Sequence, residues 1–204
     1  MTIPLKIGVL VSGSGTNLQA IIDAVANDGL PVEIVKVVSS RPDAYGIQRA
    51  EAAGIPTLVM NRDLYADVEA ADQMIVDGLK EAGAEYVIMA GYMRKCTPVL
   101  LNAFEDKVVN LHPALLPSFK GAHAIQEAFD AGVKVTGVTV HLANEDYDKG
   151  PIIAQRPVVV EEGDTLDDLE TRIHATEHVL YPEVLRIIAE GRMTVGADRK
   201  VAIS

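Results

Sequence analysis

The chain has 204 residues, 49% of them hydrophobic, and a formal net charge of −11; that size suits one domain, residues 1–204, with a core that needs no staples, and that charge excludes nucleic acid as the main partner, because phosphate backbones demand clustered Lys and Arg. Its single cysteine, Cys96, excludes an intramolecular disulfide and a cysteine-rich metal centre. No apolar run approaches the roughly 20 residues of a membrane span, and the start, MTIPLKIGVLVSGSG, reads as a strand and turn rather than a secretory leader, so a cytoplasmic protein without a membrane partner is expected.

In chain order, residues 6–11 (KIGVLV) form a β-rich run that ends at a glycine turn, and residues 18–25 follow with helical periodicity. Residues 32–38 alternate like a strand, and residues 44–53 read as a helix closed by Gly54 with Pro56 beyond it. A short strand over 57–60 leads to a helix over 65–82 that ends at Gly83. Residues 86–90 (YVIMA) and 108–111 are buried strands. Strands alternating with helices imply βαβ units and a mostly parallel sheet, which binds ligands outside the carboxyl ends of its strands. The second half differs: residues 134–142 and 151–160 are β-rich runs joined by a loop without a helix, which implies an antiparallel extension. A long helix spans 165–190, capped by Asp164 or Thr165, with Pro182 as a possible bend. Residues 192–204 show no pattern.

Three stretches fall at strand ends. SGSGTN, residues 12–17, lies between a strand and a helix. Its glycines let the backbone approach a ligand, and the helix start offers unpaired N–H groups, as a monophosphate cradle requires. No Gly-Lys-Ser/Thr follows, so it is not a nucleotide P-loop; a plain capped turn would look the same. NLHP places Asn110 and His112 two positions apart at a strand end, hence on one side. An amide donates to a developing oxyanion and an imidazole donates or exchanges a proton near neutrality, and Pro113 stiffens the exit. A histidine satisfied by loop hydrogen bonds explains the same letters. The acidic loop 144–150 (NEDYDKG) lacks the spacing of a calcium loop; it is either solvated surface or the source of a carboxylate that reaches His112 and favours its imidazolium.

Further along, His174, Glu177 and His178 fit H-x-x-E-H, an inverted zinc-protease pattern. Nothing nearby supplies a companion ligand, and a helical Glu facing a polar ligand is the simpler reading. His141, in TVHL just before the acidic loop, reads first as a partly buried strand histidine, with lining of the same cleft as the alternative, and Cys96 reads as packing or cleft lining.

Taken together, SGSGTNLQAII, AGYMR, NLHPALLPSFKGAHA, TGVTVHL, DKGPIIAQ and ATEHVLYP resemble, in one order over residues 6–192, the folate-dependent phosphoribosylglycinamide formyltransferases of purine biosynthesis. Asn-x-His-Pro-x-Leu-Leu-Pro with a later Asp-x-Gly-Pro marks the wider formyltransferase group. The resemblance implies a three-layer, Rossmann-like α/β fold and a transferase of one-carbon metabolism. Its substrates would be 10-formyltetrahydrofolate and 5′-phosphoribosylglycinamide, with no metal, in a monomer or homodimer. It implies Asn110, His112 and Asp148 as the catalytic trio and Gly15, Thr16 and Asn17 on the phosphate. It places Glu177 near the ribose hydroxyls, which removes the zinc reading. It puts Met93, Arg94, Lys95, Cys96, Asn110 and Asn144 along the folate. Two departures stand out: Val68 and Ala71 occupy positions where the family often has an Arg and an aromatic, with Arg62 as a substitute charge, and Lys149 follows Asp148 where small residues are common. Methionyl-tRNA formyltransferases and formyltetrahydrofolate hydrolases share the His-Pro motif, but an acidic chain with SGSGTN suits neither. A sensor on the same fold would have no use for a proton-transfer trio.

Overall fold

The computed structural model describes residues 3–204. Seven strands form one sheet in the order β3-β2-β1-β4-β5-β6-β7. These are β1 (Leu5–Val11), β2 (Val32–Ser39), β3 (Thr57–Val59), β4 (Tyr86–Met89), β5 (Val108–His112), β6 (Val135–Leu142) and β7 (Ile152–Val159). Strands β1 to β5 pair in parallel, while β6 and β7 join antiparallel. Helices α1 (Thr16–Asn27), α2 (Tyr45–Ala52), α5 (Ala124–Asp130) and α6 (Leu166–Ala189) share one face, and α3 (Val68–Glu81) and α4 (Pro98–Ala103) cover the other.

The alternation within β1 shows why two layers of helix are required. Ile7, Val9 and Val11 enter the core under α1 and α6, whereas Leu10 enters the core under α3. A central parallel strand therefore reads as continuous apolar sequence, because both faces are buried. The chain reverses direction across the sheet between β1 and β4, so the crevice of the fold opens where SGSGTN and GYMRKC leave those strands.

The expected parallel half, antiparallel extension and long final helix are all present. Three details differ, and one pair of alternatives resolves. The helix expected over 65–82 is a 3-10 turn, Leu64–Ala66, followed by α3, because Asp67 accepts from the N–H groups of Glu69 and Ala70 and restarts the helix. Helices α4 and α5 are too short to carry a periodic signal. The patternless end folds into a hairpin of β8 (Met193–Val195) and β9 (Val201–Ile203). Of the two cap candidates for α6, Thr165 forms a capping box with Asp168, while both oxygens of Asp164 accept from Arg172. Among the described residues no helix is long and apolar enough to cross a membrane.

The turn from β6 to β7 depends on Gly150. A Cβ there would lie 1.6 Å from the Leu142 carbonyl oxygen, and Leu142 N–H donates to Pro151 O at 2.9 Å across this approach. Gly150→Ala should destabilise the fold by about 1–3 kcal/mol through overpacking, read by chemical denaturation. An unchanged denaturation midpoint would show that the loop relaxes freely.

Candidate active site

A cleft of about 370 Å³ lies at the carboxyl ends of β1, β4 and β5. Every residue that the family resemblance assigned to catalysis or ligand binding lines it: Gly15, Thr16 and Asn17 from the turn after β1; Met93, Arg94, Lys95 and Cys96 after β4; Asn110 and His112 from β5; Asn144 and Asp148 after β6; and Glu177 from α6.

Asn110 pairs in register with His141 across β5 and β6, so their side chains emerge together. His141 Nδ1–H donates to Leu142 O at 3.0 Å, which leaves Nε2 as an acceptor for one N–H of the Asn110 amide at 3.1 Å. The amide's second N–H is then free for the cleft. Burial pushes the pKa of His141 down, against smaller upward pulls from the Leu142 bond and Asp148, and the ring stays neutral as this arrangement requires. Of the two readings of His141, the structure takes the cleft-lining one: the ring is buried and belongs to the site. Its position opposite Asn110 was the available signal.

Asp148 is buried and adopts φ 53°. Its Oδ2 lies 3.5 Å from His112 Nδ1 and accepts the Gly121 N–H at 2.9 Å, while Oδ1 lies 3.7 Å from His141 Nε2. The acidic loop thus supplies a carboxylate to His112. Lys149 does not compete for it, since its ammonium turns outward to Asp146 at 3.4 Å. Unforeseen is the engagement of His112 Nε2, which donates to Phe119 O at 2.7 Å. A strap after β5 therefore holds both partners, with Phe119 O on His112 and Gly121 N–H on Asp148. The strap is fastened in turn by Thr139, whose hydroxyl donates to Ala114 O and accepts from Leu116 N–H, and by Gln155 on Leu116 O.

At the opposite end, Glu177 Oε2 accepts from Asn17 Nδ2 at 2.9 Å and from His174 Nδ1 at 3.0 Å. Both bonds fall on one oxygen, leaving Oε1 for a ligand. Hydrogen bonding to Glu177 raises the His174 pKa. His174 lines the cleft, but His178 lines a different surface pocket between α1 and α6. The H-x-x-E-H residues thus do not converge, and among the described residues no three His, Cys, Asp or Glu side chains gather as a metal site.

A second cavity, about 700 Å³, adjoins the first and shares Met93, Arg94, Lys95 and Cys96 with it. Val68 and the buried carboxylate of Asp72 line it, but Arg62 does not, so its cations are Arg94, stacked 3.5 Å from the Tyr65 ring centroid, and Lys95. Burial pushes the Cys96 thiol up to about 12, which leaves it protonated and unreactive at neutral pH.

The formyl transferase family model matches residues 5–185. The phosphoribosylglycinamide formyltransferase of Bacillus subtilis is 41% identical over 181 residues, covering 89% of this chain and 93% of the relative. The trifunctional purine biosynthetic protein adenosine-3 of Bos taurus is 41% identical over 196 residues, but the chain spans only 19% of that relative's length. The crystal structure of glycinamide ribonucleotide transformylase 1 from Symbiobacterium toebii superimposes with a TM-score of 0.95 at 45% identity, over 100% of this chain and 95% of that one.

The His141 geometry fixes a pH dependence. Its pKa is depressed in the folded chain, so the unfolded chain binds more protons in the window below the ordinary value of 6.5. This contribution to stability is complete above that value and is lost as pH falls through the folded pKa. Ring nitrogen NMR should find His141 neutral and protonated on Nδ1 at pH 6.5, with denaturation midpoints falling on acidification. A half-protonated ring at that pH would contradict the Asn110–His141 arrangement.

Proposed function

The chain belongs to the formyl transferase family, and on that footing we propose that it transfers the formyl group of 10-formyltetrahydrofolate to the amine of 5′-phosphoribosylglycinamide. The products are formyl-phosphoribosylglycinamide and tetrahydrofolate, a one-carbon step of purine biosynthesis. The observation that carries this reading is a single cleft that holds a glycine turn at a helix start at one end and an amide, an imidazole and a carboxylate at the other.

In this reading Gly15, Thr16 and Asn17 take the phosphate at the start of α1, and the free oxygen of Glu177 takes the ribose hydroxyls. The pterin end of the folate lies along Met93, Arg94, Lys95 and Cys96, with Asn144 on the far side. The amine nitrogen attacks the formyl carbon, and the carbonyl oxygen becomes an alkoxide in a tetrahedral intermediate. The free N–H of Asn110 donates to that oxygen. His112 is the second donor, and for its Nε2–H to reach the oxygen the Phe119 carbonyl must release it. Asp148 keeps the other ring nitrogen oriented throughout. The bond from the formyl carbon to the folate nitrogen then breaks, the amine gives up a proton, and the folate nitrogen gains one through His112 or water. No covalent enzyme intermediate is needed, in keeping with the protonated, buried thiol of Cys96. Placing two substrates side by side supplies much of the acceleration.

The test is consumption of a 10-formyl-folate, followed by absorbance, with and without phosphoribosylglycinamide. Turnover that requires the ribonucleotide is expected; equal turnover without it would identify a hydrolase. Asn110→Ala should lower kcat by about 10²–10³-fold, as for loss of one oxyanion donor, with little change in either KM. A variant that turns over like wild type would remove Asn110 from the chemistry.

A further inference from the structure

The turn after β1 is held from behind by α2, an element outside the cleft. Gly46 N–H donates to Gly13 O at 3.0 Å, and Arg49 Nε donates to Ser14 O at 2.8 Å. Gly15 O accepts the first bond of α1, from Gln19 N–H at 2.9 Å. Three successive carbonyls are therefore taken by protein donors. In a trans peptide the N–H points opposite to the C=O of the same unit, so binding these oxygens aims the N–H groups of Ser14, Gly15 and Thr16 the other way. All three residues line the cleft, and Gly15, as the N-cap with φ 69°, has no side chain to cap α1. The close packing needs a glycine at position 15, where a Cβ would lie 2.7 Å from Gly46 Cα.

Arg49 itself does not line the cleft. Its guanidinium stacks 4.9 Å from the Tyr45 ring centroid, and Nη1 donates to Gln19 Oε1 at 3.1 Å. It thus ties the turn to the first turn of α1 and places a fixed positive charge behind it. We propose that Arg49 is a positioning residue for the phosphate of the substrate, acting by locking Ser14 O so that the turn presents its N–H groups to a phosphate monoester. The proposal rests on the reading of that turn as the phosphate cradle and adds the device that preorganises it.

The experiment compares wild type with Arg49→Met, which keeps the length and loses donors and charge, and Arg49→Lys, which keeps the charge and one donor group. Ribose 5-phosphate is the calorimetric probe, beside steady-state KM values and melting temperatures. Arg49→Met should weaken ribose 5-phosphate about tenfold, the scale of a lost charge-assisted hydrogen bond, and raise the KM of phosphoribosylglycinamide in parallel. The kcat, the KM for formyl-folate and the melting temperature should stay near wild type, and Arg49→Lys should recover part of the affinity. Unchanged ribose 5-phosphate affinity in Arg49→Met would overturn the proposal, as would losses shared by both substrates together with a lower melting temperature. Formyl transfer by a wild-type chain that binds no ribose 5-phosphate would overturn the cradle and this proposal with it. Arg49-dependent binding by a chain that transfers no formyl group would sink the proposed activity and leave this inference standing.

Discussion

The Asp148 carboxylate is the constraint around which the reacting end of the cleft is arranged. A buried carboxylate without partners costs several kcal/mol, so the fold must bring donors to it. It does so from three directions: His112 from β5, His141 from β6 and the Gly121 N–H from the strap. His112 and Gly121 lie far from Asp148 in sequence. The loop that carries Asp148 makes two local concessions, a φ of 53° at Asp148 itself and a missing Cβ at Gly150, which lets the loop pass against Leu142 O. Leu142 O is also the acceptor that fixes the His141 tautomer, so the same close approach reaches Asn110 through His141.

The acidic character of the chain becomes local chemistry in the same place. Asp72, Asp148 and Glu177 are buried, and each faces one of the two adjoining cavities. Positive charge arrives singly and is held by stacking or by backbone acceptors: Arg94 over Tyr65 and Arg49 over Tyr45 and onto Ser14 O. An anionic ligand therefore meets directed N–H groups and a few fixed cations in a negative field. Such a site selects by geometry more than by long-range attraction, because most of the surface repels anions.

Much of this was legible in the sequence, for physical reasons that differ along the chain. The parallel strands read clearly because a strand buried on both faces must be apolar throughout, and the glycine turn and NLHP stood out because polar groups at strand tips conflict with burial. The motifs that carried the family resemblance gave all of the predicted cleft residues. What did not read were relations rather than residues. His141 could be a plain strand histidine or a cleft residue by sequence, and only its register opposite Asn110 decides. Phe119 and Gly121 act through a backbone carbonyl and an N–H, for which side-chain identity carries no signal. Arg49 lies on a helix that the sequence marked only as a helix, and its bond to Ser14 O depends on how α2 packs under the turn. The terminal hairpin escaped because three-residue strands are too short for a period.

The sheet also sets the distance over which the proposed reaction works. The glycine turn proposed to hold the phosphate leaves β1 and the Asn110–His112 pair leaves β5, with β4 between them. Neighbouring strands lie about 4.8 Å apart, so the two ends are separated by roughly 10 Å of rigid, hydrogen-bonded backbone. Tyr181, fully buried on α6, adds a direct tie: its hydroxyl lies 3.0 Å from both Met89 O and Val109 O, in the neighbouring strands β4 and β5. A substrate that carries a phosphate on one side of a pentose and an amine on the other is matched to such a ruler. In the proposed reaction, anchoring the phosphate would fix where the amine falls relative to Asn110 and His112. On the proposed function, binding energy gained at β1 would be converted into alignment at β5, which is the way a remote, unreactive group contributes to a rate.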